Sequence, residues 1–248
     1  MKKNILIVSL AALTIIGCTV QDVLNNTNTV LNGGGSKEPG LTNDQVIAGL
    51  KEALTVGAGN SATSASTSDG FFKNAKIFLP FPPDAIKVKE KVESIPGFQP
   101  QVEKFVLTLN RAAEEASKEA KPIFVNAVTS MTVADGFTIL KGADNAATKY
   151  LEDKTSGALY TAFKPKVQAA IQKVELTKYW KPLIDKYNLL TALSGDPKIN
   201  PDLEDYVTKR AMSGLFTLIA DEELKIRKDP VARVTDILKT VFSSLDKK

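Results

Sequence analysis

From Thr42 onward, apolar residues recur every three to four positions, and prolines rather than alternating runs interrupt the pattern. "TNDQ" (42–45) sets Thr42 as an N-cap with Gln45 three residues on, a capping box, and Val46, Leu50, Ala53 and Leu54 follow at helical spacing. "GAGNSATSASTSDG" (57–70) reads either as a frayed, Ala/Ser-rich continuation of that helix or as a loop. "AKIFLPFPP" (75–83) is apolar and closed by prolines, which predicts an ordered, extended hook on the surface or an isolated edge segment. Beyond it, Pro100, Pro122, Pro165, Pro182, Pro201 and Pro230 each stand at or near the head of an apolar-periodic run, where a missing N–H costs nothing. Thr132, Asp144, Thr155 and Asp229 are expected N-caps. No period-two run is present, so the expected fold is all-α. It is a single bundle over residues 41–248, of about eight to ten helices of roughly ten to twenty-five residues.

The last two helices have the clearest faces. Leu203, Val207, Ala211, Leu215 and Leu218 form one stripe, and Val231, Val234, Leu238, Val241 and Leu245 the other. Such stripes bury against neighbouring helices.

The first forty residues follow different rules. Lys2 and Lys3 precede an apolar stretch, Asn4 to Ile16, broken only by Asn4, Ser9 and Thr14. A spanning helix needs about 20 apolar residues to cross about 30 Å of hydrocarbon, so this run has the length of a signal-peptide core instead. Ile15-Ile16-Gly17-Cys18 then resembles the lipobox of bacterial lipoproteins. That resemblance implies cleavage after Gly17, a diacylglyceryl group on the Cys18 thiol and acylation of the freed amine, palmitate being the expected chain type. The competing reading is an incidental or buried cysteine behind an ordinary secretory signal. Residues 18–40 are rich in Asn, Thr and Gly and read as the lipidated cysteine and a flexible tether with a reach of about 25 Å. An ordered first helix around Val20 to Leu31 is the alternative. Thr19 stands where aspartate favours inner-membrane retention in enterobacteria, so the expected location is the cell envelope, on the outer membrane facing the periplasm.

Charge and composition narrow the chemistry. Removing Lys2 and Lys3 with the leader lowers the formal charge from +4 to +2, which is no electrostatic footprint for nucleic acid. The 43% hydrophobic and 24% charged content is that of an ordinary globular chain. There is no histidine, which removes histidine-dependent triads, HExxH zinc sites and histidine-containing di-iron bundles. Cys18 is the single cysteine, so no disulfide can form within the chain. "GAG" (57–59) follows a helix rather than a strand, so it lacks the setting of a phosphate-binding loop. No cofactor and no metal is expected.

Four constellations remain. Asp196, Asn200, Asp202 and Glu204 alternate as in a calcium loop, but Pro201 occupies the position that needs glycine. Asp202, Glu204 and Asp205 at one end of a helix, with Lys225, Arg227 and Lys228 at the other, match its dipole. Ser244 and Lys247 form an S-x-x-K pair in the last five residues, where chains fray. "KYWKPLIDKY" (178–187) has aromatics suited either to packing on the bundle or to a membrane interface. In "NRAAEEASKEA", Arg111 lies three residues before Glu114 and four before Glu115, so either can pair with it on one helix face. A sharper alternative gathers Asn110, Arg111 and Glu114 with Arg210, Glu222, Glu223 and Arg227 into a carboxylate site, where two carboxyls with split pKa values do acid–base work.

Several stretches together are similar to a bacterial lipoprotein family catalogued only as a domain of unknown function. They are "GLKEAL" (49–54), "DGFF" (69–72), "LNRAAEEA" (109–116), "NAATKYL" (145–151) and the block 202–233 beginning "DLEDYVTKRAMSGLF" and ending "DPVAR". The resemblance implies a helical, exported domain and brings no reaction with it. The expected role is a non-catalytic, lipid-anchored module that binds another envelope component. Two other classes compete. A carrier or sensor of a small apolar ligand requires a closed cavity of several hundred Å³. A carboxylate-dependent hydrolase requires Glu114 and Glu222 or Glu223 to face each other across a cleft.

Overall fold

The computed structural model describes residues 42–94, 96, 97, 99–173, 178, 180, 181, 183–185, 187–189, 197–233 and 235–246. The leader, Cys18 and the tether lie outside them, as do Tyr179, Pro182, Val234 and the side chains of Leu238, Ser244, Leu245 and Lys247. Among the described residues there are eight α-helices and no strand. In chain order they are α1 (Asn43–Ser66), α2 (Ile86–Glu93), α3 (Gln99–Ser117), α4 (Ala120–Thr129), α5 (Val133–Lys141), α6 (Ala146–Ile171), α7 (Leu203–Lys228) and α8 (Asp236–Asp246). Short 3-10 turns, Pro83–Ala85 and Pro230–Ala232, lead towards α2 and α8.

The centre is a three-helix packing of α3, α6 and α7, with α4 and α5 laid against α6 and α2 against α3. The buried stripes follow helical spacing: Val102, Phe105, Leu109, Ala112, Ala113 and Ala116 on α3, and Leu151, Leu159, Phe163, Val167 and Ile171 on α6. On α7, Leu203, Val207, Ala211 and Leu215 are buried as their spacing predicts, and the stripe drifts through Ile219 to Ile226 as 3.6 residues per turn requires over a helix of this length. Small residues let α1 approach its neighbours closely. A Cβ at Gly49 would lie 3.0 Å from Val241 of α8, whereas one at Gly57 would be in ordinary contact with Glu222 of α7 at 3.6 Å.

Several expectations meet the structure directly. α1 begins immediately after Thr42 and runs through "GAGNSATSAS" to Ser66, so the continuation reading is the observed one. Its buried face there is Gly57, Ala58, Ser61, Ala62 and Ala65, and Ser61 and Thr63 return their hydroxyls to the carbonyls of Gly57 and Gly59. Thr132 is the N-cap of α5, in a reciprocal capping box with Asp135. Asp202 caps α7 by accepting from the Asp205 amide at 2.8 Å, with the acidic and basic ends as the dipole favours. Trp180 is buried against Phe81 and Phe105, at ring-centroid distances of 5.6 and 5.5 Å, so this aromatic packs on the bundle.

Four details differ. Residues 78–80 of the hook form neither helix nor strand, as expected, but the hook is part of the core: Ile77, Leu79 and Phe81 are buried, with Ile77 against Gly214 of α7 and Phe81 against Phe105 of α3. Pro165 lies inside α6 rather than at its head; its ring is on the exposed side, where water reaches the carbonyl left without an N–H partner. Thr155 is also internal to α6 and donates to the Leu151 carbonyl, while the cap position of that helix belongs to Asn145 and Asp144 pairs with Lys228. Val231 is 86% exposed, since α8 starts only at Asp236 and the residues before it form a 3-10 turn capped by Asp229.

Candidate functional site

The polar residues singled out on α3 sit inside its apolar stripe, and what they touch explains why. After Ser66 the chain reverses through Asp69, a non-glycine residue at φ 67°, a region Asp tolerates better than most. Gly70 follows, where a Cβ would fall 2.3 Å from the Ser64 carbonyl oxygen. The reversal sends residues 71–82 across α3 and α7. Glu114, nearly fully buried, accepts the amides of Phe71 and Phe72 on Oε1 at 3.1 and 3.2 Å. Its Oε2 pairs with Arg111 Nη1 at 2.6 Å, the i, i+3 choice of the two that the sequence offers. Arg111 extends its second nitrogen to Asp69 Oδ1 at 2.6 Å and lies over the Phe72 ring. Asn110 accepts from the Leu79 amide at 2.9 Å and donates to the Leu79 and Val106 carbonyls at 2.8 Å. One side-chain amide thereby does for the hook what a neighbouring strand would do. Lys73 and then Arg111 hold the Asp69 carboxyl below its usual value, and Glu114 and then Asp69 keep the Arg111 guanidinium more firmly protonated.

A second buried carboxylate does the same work elsewhere. Asn145 makes no side-chain cap at the start of α6, which leaves helix N–H groups in need of acceptors. Glu223 of α7 supplies them: Oε1 accepts from the Ala147 amide at 2.9 Å, and Oε2 from the Thr148 amide and hydroxyl at 2.8 Å each. Arg227 binds the same Oε1 through Nε and Nη2 at 3.0 and 2.8 Å, and its Nη2 also donates to the Ile139 carbonyl at 2.9 Å, near the end of α5. The Glu223–Arg227 pair thus joins the close of α5 and the opening of α6 to α7.

The other members of the predicted cluster lie apart. Glu222 pairs with Lys225 at 2.5 Å. Arg210 is exposed and flanks Tyr206, whose hydroxyl donates to the Pro80 carbonyl at 3.2 Å. Burial raises the Tyr206 phenol, with Arg210 opposing and Asp84 adding to the rise. At about 1.5 Å per residue, thirteen positions along α7 separate Arg210 from Glu223 by about 20 Å. The structure therefore assembles Asn110, Arg111 and Glu114 around the hook, and Glu223 with Arg227 around the α5–α6 junction. Among the described residues the two sets share no hydrogen-bond partner.

The sequence names neither Asp69 nor Thr148 as a partner, and it points the other way at Thr148, because Asp144 and Asn145 before Ala146 read as caps whereas Asn145 makes no side-chain cap. Arg233 was missed too. It is buried to 1% exposure, donates to the carbonyls of Ile226 and Arg227 at the end of α7, and lies over the Phe242 ring of α8.

Two hollows are relevant. A cavity of about 20 Å³, lined mainly by Leu50, Leu54, Gly57, Ile219 and Phe242, touches Glu223 and Arg227 and has the size of a single water. An open groove of about 470 Å³ runs between α6 and the start of α7, with Trp180 at its base and Lys164, Gln168, Lys178 and Glu204 around it. Lys164 there is committed to Asp202 and to the Tyr160 hydroxyl, at 3.2 Å each, and these contacts raise its pKa, the Tyr160 bond most. Among the described residues, no three acidic or cysteine side chains gather as a metal would require.

A family model described as a protein of unknown function (DUF4197) matches residues 40–243. The chain belongs to this family. The match takes in both buried carboxylates, the hook and Arg233. No curated protein and no solved structure matches the chain. Membership of DUF4197 therefore agrees with the helical domain and carries no chemistry with it.

Proposed function

We propose that this protein is a lipid-anchored lipoprotein of the bacterial cell envelope whose helical domain binds another envelope component and catalyses nothing. The observation that carries the reading is Ile15-Ile16-Gly17-Cys18 behind a short, lysine-headed apolar run. Each buried methylene contributes about 0.8 kcal/mol, and two or more acyl chains anchor stably. Among the described residues no single helix is long and apolar enough to cross a membrane, and the attachment proposed is through Cys18. The non-catalytic part rests on how the polar groups are used. Glu114 and Glu223 are buried and occupied by backbone amides and arginines, while acid–base chemistry needs carboxyls that reach a substrate. The carrier reading draws no support from a core cavity of about 20 Å³. With Thr19 after the cysteine, the proposed location is the outer membrane, facing the periplasm.

Replacing Cys18 by Ala should move the protein from the membrane to the soluble fraction and abolish labelling by a fatty-acid analogue. A wild-type chain that is exported, unlabelled and freely diffusing would overturn the proposal. In-cell crosslinking of the wild-type protein with mass spectrometry then tests for the partner. A chain that crosslinks to nothing in the envelope would remove the binding half while leaving the anchor intact.

A further inference from the structure

We draw no further inference here: the strongest candidate, the exposed stripe of small residues along α6 at Gly157, Ala158, Thr161, Pro165 and Ala169, carries none because nothing in the structure shows what covers it.

Discussion

Glu114 and Glu223 are buried acids with the same assignment: each turns an end of backbone that would otherwise be unsatisfied into a point of attachment. Removing one partner of a buried, hydrogen-bonded charge pair typically costs about 3–5 kcal/mol, because the remaining groups stay buried without it. Glu223→Ala strands two α6 amides and Arg227, so its urea midpoint should fall by the equivalent of about 3 kcal/mol or more. Glu223→Gln keeps an acceptor and should lose less. A carboxylate held for chemistry would show the opposite pattern, with stability unchanged or improved on removal. Thr208 supplies a complementary test. Its hydroxyl is the buried side-chain polar atom that has no protein partner among the described residues, so Thr208→Val should stabilise the fold by about 1 kcal/mol, read by the same denaturation. How much of this was legible follows sequence distance. Arg111 lies three and four residues before Glu114 and Glu115, so spacing offers either partner, and the structure takes Glu114 while Glu115 pairs with Lys118. Glu223 meets Thr148 across 75 residues, and no local pattern records that meeting.

At the scale of elements, glycines separate what the pattern announces from what tertiary packing demands. The Ala/Ser-rich half of α1 was ambiguous because its buried face is made of small residues, which produce almost no hydrophobic periodicity. It is a helix whose buried face is small, with Gly57 in ordinary contact with Glu222 and Ile226 of α7. Gly214 on α7 has a stricter reason, since a Cβ there would stand 2.7 Å from the Phe71 ring and 3.2 Å from Ile77. Both of those residues belong to the segment that Glu114 and Asn110 hold down. Gly214→Ala should therefore destabilise by about 1–3 kcal/mol through overpacking. Gly157, in the interior of α6, has nothing within 4 Å of its absent Cβ; Gly157→Ala should stabilise by about 0.5–1 kcal/mol, because Gly is the costlier residue in a helix. Thermal midpoints of the two variants moving in opposite directions would establish that the hook, and not helix propensity, sets the requirement at Gly214. The hook itself shows where the pattern stops short. Its prolines announce an extended segment, but contacts distant in sequence place it inside the core: Asn110, 31 residues from Leu79, and Tyr206, whose hydroxyl donates to the Pro80 carbonyl.

For the whole molecule, the absence of histidine makes a statement about pH. No side chain present has an ordinary pKa between about 5 and 8, so folding stability should stay level across that range. In acid, Asp69 and Asp135 lie below their usual values, Asp69 chiefly through Lys73 and Asp135 through the Thr132 hydroxyl and amide. Asp202 is pushed up by burial, but the Asp205 amide and Lys164 outweigh that and leave it lowered as well. A carboxyl whose folded value lies below its unfolded one binds its proton more readily when unfolded. Its contribution is therefore complete above the unfolded value near 3.8 and lost as pH falls through the folded value. The urea midpoint should accordingly begin to drop below about pH 4. In base the sign reverses: Tyr150 and Tyr206 are raised, chiefly by burial, and Lys209 and Lys225 chiefly by their pairing with Asp205 and Glu222. Those contributions hold below the unfolded values, 10.0 for tyrosine and 10.5 for lysine, and fade as pH rises through the folded ones. Asp202→Asn isolates one contribution, because asparagine keeps the ability to cap α7 and removes the titrating charge. Its acid limb should be shallower than that of the wild type because its neutral plateau is lower by the contribution removed, and the two curves should converge in acid, where Asp202 is protonated. A step in stability between pH 5 and 8 in the wild-type protein would contradict the account, because it would require a strongly displaced carboxyl among groups that here only hold helices together.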